Sequence, residues 1–176
     1  MFLDRTETFV LNIGGLNQRA TRKQLTKLCN QINFCDTFKF TIFKEKNLYA
    51  LKINLPKQQL PYIISFLSFH NYTIYQILEN HHIEELLDPT HLLSSSKRFE
   101  LSIDGLRDAF IKDKMIDIMN LINNTEQVMY TFNRDKINVS CSPSTFAKLI
   151  YQIATHNIDI HGAIYQPRLI TKARIS

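Results

Sequence analysis

Glycine is scarce in this sequence, with four in 176 residues. That leaves little room for glycine-built cradles around a phosphate, and neither a phosphate loop nor a metal-ligand helix motif is present. No nucleophile stands in motif spacing with a base, so an enzyme is not expected and no catalytic residue is assigned. Cysteine is sparse and odd in number: Cys29, Cys35 and Cys141. Three thiols exclude a disulfide framework and point to a reducing compartment, with the cytoplasm as the expected location. No apolar run approaches the roughly eighteen residues of a membrane span, so a membrane partner is not expected. The start, Met1-Phe2-Leu3-Asp4-Arg5, has no basic head followed by an apolar stretch, and no signal peptide is expected.

What the chain does contain is a repeat. Leu11-Asn12-Ile13-Gly14-Gly15-Leu16 returns ninety residues later as Leu101-Ser102-Ile103-Asp104-Gly105-Leu106, both reading L-x-I-x-G-L. At the same offset Leu25, Leu28, Cys29 and Ile32 return as Met115, Ile118, Met119 and Ile122, and Phe38, Phe40 and Ile42 as Val128, Tyr130 and Phe132. The offset then drops to 86: Leu51, Ile53 and Leu55 become Ile137, Val139 and Cys141, and His70-Asn71 becomes His156-Asn157. One unit is written twice.

Within a unit the apolar period alternates between strand and helix. Phe9, Leu11 and Ile13 mark a first strand, and Thr21 with Gln24 resembles a capping box ahead of a helix. Phe38 to Ile42 and Tyr49 to Leu55 mark a hairpin around Lys44-Glu45-Lys46-Asn47. Pro61 is expected in the first turn of a second helix, where a missing N–H is tolerated, and Tyr72, Ile74 and Ile77 belong to a fourth strand. In the second unit Ser142 and Pro143 give the second helix a clean start. The order is βαββαβ. The expected fold is α+β: two tandem ferredoxin-like units, each a four-stranded antiparallel sheet with two helices on one face. The expected organisation is a first domain over 1–80, a linker over 81–97 with Ser94-Ser95-Ser96 as hinge, a second domain over 98–166 and a basic tail over 167–176.

Charge is uneven. Residues 1–80 hold ten Lys/Arg against five Asp/Glu, and residues 98–166 hold seven against eight. An anionic partner would therefore meet the first unit or the tail, which carries Arg168, Lys172 and Arg174. Arg19, Arg22, Lys23 and Lys27 lie at near-helical spacing, with Lys44, Lys46 and Lys52 in the same unit. These seven are the candidate partner-binding or anion-binding residues. Cys29 and Cys141 fall on inward positions and read as core, while Cys35 precedes a strand and reads as exposed. His81, His82 and His91, with Glu84, Glu85 and Asp88, read as solvated linker residues. His70 and His156 read as helix C-terminal residues. No metal ligand and no cofactor is expected.

At its first strand, glycine turn and following helix, each unit resembles the heavy-metal-associated domain of copper chaperones and metal-pumping ATPases. Gly15-Leu16 and Gly105-Leu106 stand where that family has Gly-Met. Its two cysteines are replaced by Gln18 and Thr21 in the first unit and by Asp108 and Ile111 in the second. The resemblance thus implies the fold and a habit of docking to similar domains, without the thiolates that select Cu(I).

Two other families share the βαββαβ order. RNA-recognition motifs stack bases on aromatics of the open sheet face. The positions expected to be open here are Val10, Asn12, Ala50, Lys52 and Asn54 in the first unit, and Glu100, Ser102, Asn138 and Ser140 in the second; none is aromatic. Amino-acid-binding ACT domains place glycine where this chain has Gln18-Arg19-Ala20-Thr21 or Asp108-Ala109-Phe110-Ile111. The reading that follows is a protein-interaction module of unknown partner and oligomeric state. The alternatives are a nucleic-acid binder using the basic first unit and tail, and a small-molecule-sensing ACT-like module.

Overall fold

The structure, a computed structural model, describes residues 5–88 and 96–166. The strands are β1 (Thr6–Ile13), β2 (Lys39–Glu45), β3 (Leu48–Pro56), β4 (Ile74–Glu79), β5 (Lys97–Ile103), β6 (Met129–Asn133), β7 (Lys136–Cys141) and β8 (Ile160–Gln166). The α-helices are α1 (Arg19–Cys29), α2 (Leu60–Phe69), α3 (Ala109–Asn123) and α4 (Pro143–Thr155). Each half runs βαββαβ as the repeat predicts.

The expectation of two separate four-stranded sheets is corrected. All eight strands form one antiparallel sheet in the order β2-β3-β1-β4-β8-β5-β7-β6. The fourth strands of the two halves pair with each other, with Ile77 opposite Ala163. The physical reason lies in β4. It carries apolar side chains on both faces, Ile74 and Ile77 towards the helices and Leu78 on the outer side, and β8 covers the edge that such a strand would otherwise expose.

Directly opposed residues point to the same face of a sheet. One row therefore crosses the molecule: Ile42, Leu51, Leu11, Ile77, Ala163, Leu101, Ile137 and Phe132, one from each strand. The row is a palindrome of the sequence repeat, with its centre between Ile77 and Ala163. Every member belongs to, or packs against, the single core beneath the helices.

The helices differ in apolar content because they sit at different distances from that centre. α2 and α4 pack on each other, α4 reaching β4 and α2 reaching β8 across the junction. Ser65 of α2 donates to the carbonyl of Ala154 in α4 at 3.1 Å, and the small residues Ala147 and Ala154 are buried on α4. α1 lies outside this pair and buries only Leu25 and Cys29 in full.

Local signals hold with two corrections. Gly15 and Gly105 sit at φ +79° and +72°, which explains the glycine of L-x-I-x-G-L. The caps Ser142 and Pro143 stand as expected, and so does Pro61. The α1 cap is Gln18 rather than Thr21, and it makes no side-chain bond; its counterpart Asp108 accepts from the amides of Phe110 and Ile111. Cys35 is buried rather than exposed. The change of offset arises in the hairpin arms. Both hairpins turn over two residues, Lys46-Asn47 and Arg134-Asp135, but β6 stops two residues earlier and β7 starts two residues later in repeat register. Pro89, His91, Ser94, Ser95 and the basic tail lie outside the described residues.

Candidate functional site

The face of the sheet away from the helices is where the halves diverge. In the first half, Val10, Ala50 and Leu78 form a small apolar cluster there, covered by Phe43, Ile83, Leu86 and Ile164. Ile83 and Leu86 belong to a segment that leaves β4 as a 3-10 turn, Asn80–Glu85, and folds back over the sheet. Two amides in the strands hold it. Gln76 accepts from the amide of Leu87 at 2.8 Å and donates to the carbonyl of Glu85 at 2.9 Å. Asn12 donates to the carbonyl of Leu87 and to Gln76 Oε1, each at 2.8 Å. Both amides are buried, so their polar atoms need partners, and the strap's backbone supplies them. Residues 80–87 are thus a strap on the sheet, not a solvated linker. Val10, Asn12 and Ala50, expected to be open, lie beneath it.

In the second half the same positions carry different chemistry. Asn12 and Gln76 are replaced by Ser102 and Gly162, opposed in register as the amides are. Val10 is replaced by Glu100, which binds Lys136 at 3.0 Å and Gln166 at 2.8 Å. With small residues at the latch and a charge on the apolar spot, this half presents an open groove of about 780 Å³. Its lining includes Glu79 and His82 from the strap end, Ser102, Asp104, Gly105, His161 and Gly162. His161 Nε2 stands 3.7 Å from Asp104, while its Nδ1 is buried without a hydrogen-bond partner among the described residues.

The seven basic candidates separate. Arg19, Arg22 and Lys23 line one shallow depression with Tyr49. The Arg22 guanidinium lies 4.0 Å from the Tyr49 ring centre and the Lys44 ammonium 5.6 Å from it. Arg22 is also tied down, donating to the carbonyls of Leu16 and Asn17 at 2.8 and 2.9 Å. Lys46 occupies the hairpin turn at φ +47°, and Lys27 stands exposed in the last turn of α1. Lys52 is on the other face, over Phe43 at 4.9 Å. Four of the seven therefore gather around Tyr49.

His70, His156, Cys29 and Cys141 are structural. His70 and His156 bond through Nδ1 to the carbonyls of Phe66 and Gln152 at 2.8 and 2.6 Å, closing α2 and α4. Asn71 and Asn157 follow in the left-handed region at φ +62° and +58°. Burial pushes the thiols of Cys29 and Cys141 up to about 12, away from the thiolate form that metals and electrophiles need.

Gln76 escapes a reading along the chain, although its signal is present. A polar amide between the apolar residues Ile74, Ile77 and Leu78 of a strand has to meet a partner where the strand is buried. Among the described residues, no helix is long and apolar enough to cross a membrane. Set against known protein families and against curated proteins, the chain matches none.

Proposed function

We propose that this chain is a non-catalytic protein-interaction module built from two fused ferredoxin-like units, which resemble heavy-metal-associated domains that lack the thiolate pair. Its docking surface is the outer sheet face of the second half, and its partner contributes a peptide segment. The observation that carries this reading is the strap. The same face in the first half already holds a stretch of the chain itself, a 3-10 turn that opens out at Leu86, with sheet side chains reading its backbone at Glu85 and Leu87. The second half repeats the scaffold with the latch reduced to Ser102 and Gly162, leaving a groove where the strap's counterpart would lie. Capture of a peptide through its main-chain groups, with side-chain pockets for selectivity, is a general mode of docking.

The nucleic-acid reading draws on one arrangement, the cations around Tyr49. Against it, the strap lies over Val10 and Ala50, where bases would stack on β1 and β3, and Arg22 already spends two donors on backbone.

One experiment separates the two. A photo-crosslinking phenylalanine analogue is placed at Ser102, or at Lys23 on the opposite side, and irradiated in the native cell with and without nuclease. Crosslinking to protein at Ser102 that Gly162→Arg abolishes is the expected result. Adducts confined to Lys23 and removed by nuclease would overturn it in favour of nucleic acid.

A further inference from the structure

Where β4 gives way to the strap, Glu79, His81 and His82 come together. One ligand atom from each lies within 4.8 Å of the others. His81 Nε2 is 3.2 Å from Glu79 Oε2, and the two imidazole rings are 4.1 Å apart, centre to centre. We propose that these three residues form a binding site for a divalent transition-metal ion, zinc in the first instance.

The chemistry and the spacing agree. Zinc takes imidazole nitrogen and carboxylate oxygen at about 2.0–2.2 Å in a tetrahedron, whose edge is then about 3.3 Å. The His81–Glu79 separation already matches such an edge, and His82, within 4.8 Å of both, has to close on them as an ion enters. Two imidazoles to one carboxylate is a borderline donor set that suits zinc rather than calcium or magnesium, which want oxygen. A second carboxylate supports the cluster. Glu85 Oε1 stands 3.3 Å from Nδ1 of His82, and a carboxylate on that nitrogen fixes the tautomer and leaves Nε2 with its lone pair for the metal. The groups are reachable, with side chains 68% exposed at His81 and 48% at Glu79. Three protein ligands leave a fourth position for water.

The location gives the ion a consequence. Glu79 ends a strand fixed in the centre of the sheet, while His81 and His82 are in the first turn of the strap. A bound ion pins the strap at its origin, complementing the amide latch at Leu87. His82 and Glu79 also line the open groove, so the pinned end forms part of that groove's rim. The simpler account of the contact is an ion pair between protonated His81 and Glu79. In that case a proton stands where the metal would bind, and added zinc finds no ordered ligand set.

The test uses the full chain, stripped with a chelator and titrated with Zn²⁺ alone by calorimetry, and with Co²⁺ followed by visible absorption. The expected result is saturation at one ion per chain and a Co²⁺ spectrum of nitrogen and oxygen coordination without thiolate charge transfer. The His81→Ala/His82→Ala double variant should lose more than tenfold in affinity. Glu79→Gln should weaken binding, and His70→Ala/His156→Ala should leave it unchanged. All the altered side chains but His82 are exposed and His82 is half-exposed, and circular dichroism checks each fold. Zinc should also slow hydrogen exchange at the Leu87 amide in the parent and not in the double variant. Absence of saturable uptake, uptake of several ions per chain, or equal affinity in the double variant would each overturn the site and leave adventitious binding only.

Discussion

Gln76 is the residue on which the outer face of the first half depends. It is fully buried and uses both ends of its amide, accepting from Asn12 and Leu87 and donating to Glu85. Gln76→Ala strands these groups, and an unpaired buried polar group costs about 1–3 kcal/mol. The expected loss in a denaturant melt is about 2–4 kcal/mol, with exchange at the Leu87 amide rising far more than at the amides of β1. The buried thiols give a second expectation at this scale. Cys29 and Cys141 sit at about 12 in the folded protein against an ordinary 9.0, because burial disfavours the thiolate. The folded state thus holds protons that the unfolded chain releases above pH 9. Stability is fully present below about pH 9 and is lost as pH rises towards 12, by up to about 1.4 kcal/mol per pH unit for each thiol. Tyr72, raised chiefly by burial and then by Cys29, acts in the same direction. Melts at pH 8, 9.5 and 10.5 check the slope, and iodoacetamide at pH 8 should leave Cys29 and Cys141 unmodified until the protein unfolds.

At the scale of the element, strands and helices are legible in the sequence because apolar period is a local property that the repeat states twice. Leu25 and Cys29, or Met115, Ile118 and Met119, mark the buried stripe whatever lies beyond it. Helix starts are less legible, since Thr21 offers a cap hydroxyl three residues past the true cap, Gln18. The strap is partly legible: Ile83, Leu86 and Leu87 stand at helical spacing over a segment that begins as a 3-10 turn. Its place on the sheet, however, comes from the buried amides beneath it, which no local period reports. The basic cluster is half legible, because helical spacing groups Arg19, Arg22 and Lys23 but cannot show that Lys52 points through the sheet to the other face. The two first helices provide a matched test of capping. Asp108 caps α3 with bonds to Phe110 and Ile111, while Gln18 at the same place before α1 makes none. Asp108→Ala should cost about 1 kcal/mol. Gln18→Asp should stabilise by about 0.5–1 kcal/mol, also through favourable charge at a helix N-terminus. Thermal melts of the two variants should move in opposite directions.

For the whole molecule, the repeat foretells two units but not their fusion, since a repeat reports what each copy is and not which edge meets which. The clue lies in the strand itself: β4 carries apolar side chains on both faces, Ile77 in the core beneath the helices and Leu78 in the outer cluster. That is more than a half-solvated strand at the rim of a small sheet carries. Fusion removes two edges that would otherwise invite pairing with other chains, and it lets α2 and α4 share one core above β4 and β8. A core continuous across the junction makes the halves fold and unfold together. The full chain should therefore melt in one transition whose calorimetric and van't Hoff enthalpies agree. The decisive variant lies at the centre of the row that crosses the sheet. Ala163 is fully buried opposite Ile77 and Leu101, so Ala163→Glu forces an unpaired charge into the shared core at a cost of several kcal/mol. If the halves depend on each other, this change at β8 will also unfold β1 to β4, and amide protection at Leu11 and Leu51 will fall with that at Leu101 and Ile137. Retained protection in the first half, with a second calorimetric transition at the parent temperature, would show that the eight-stranded sheet joins two units that are stable alone.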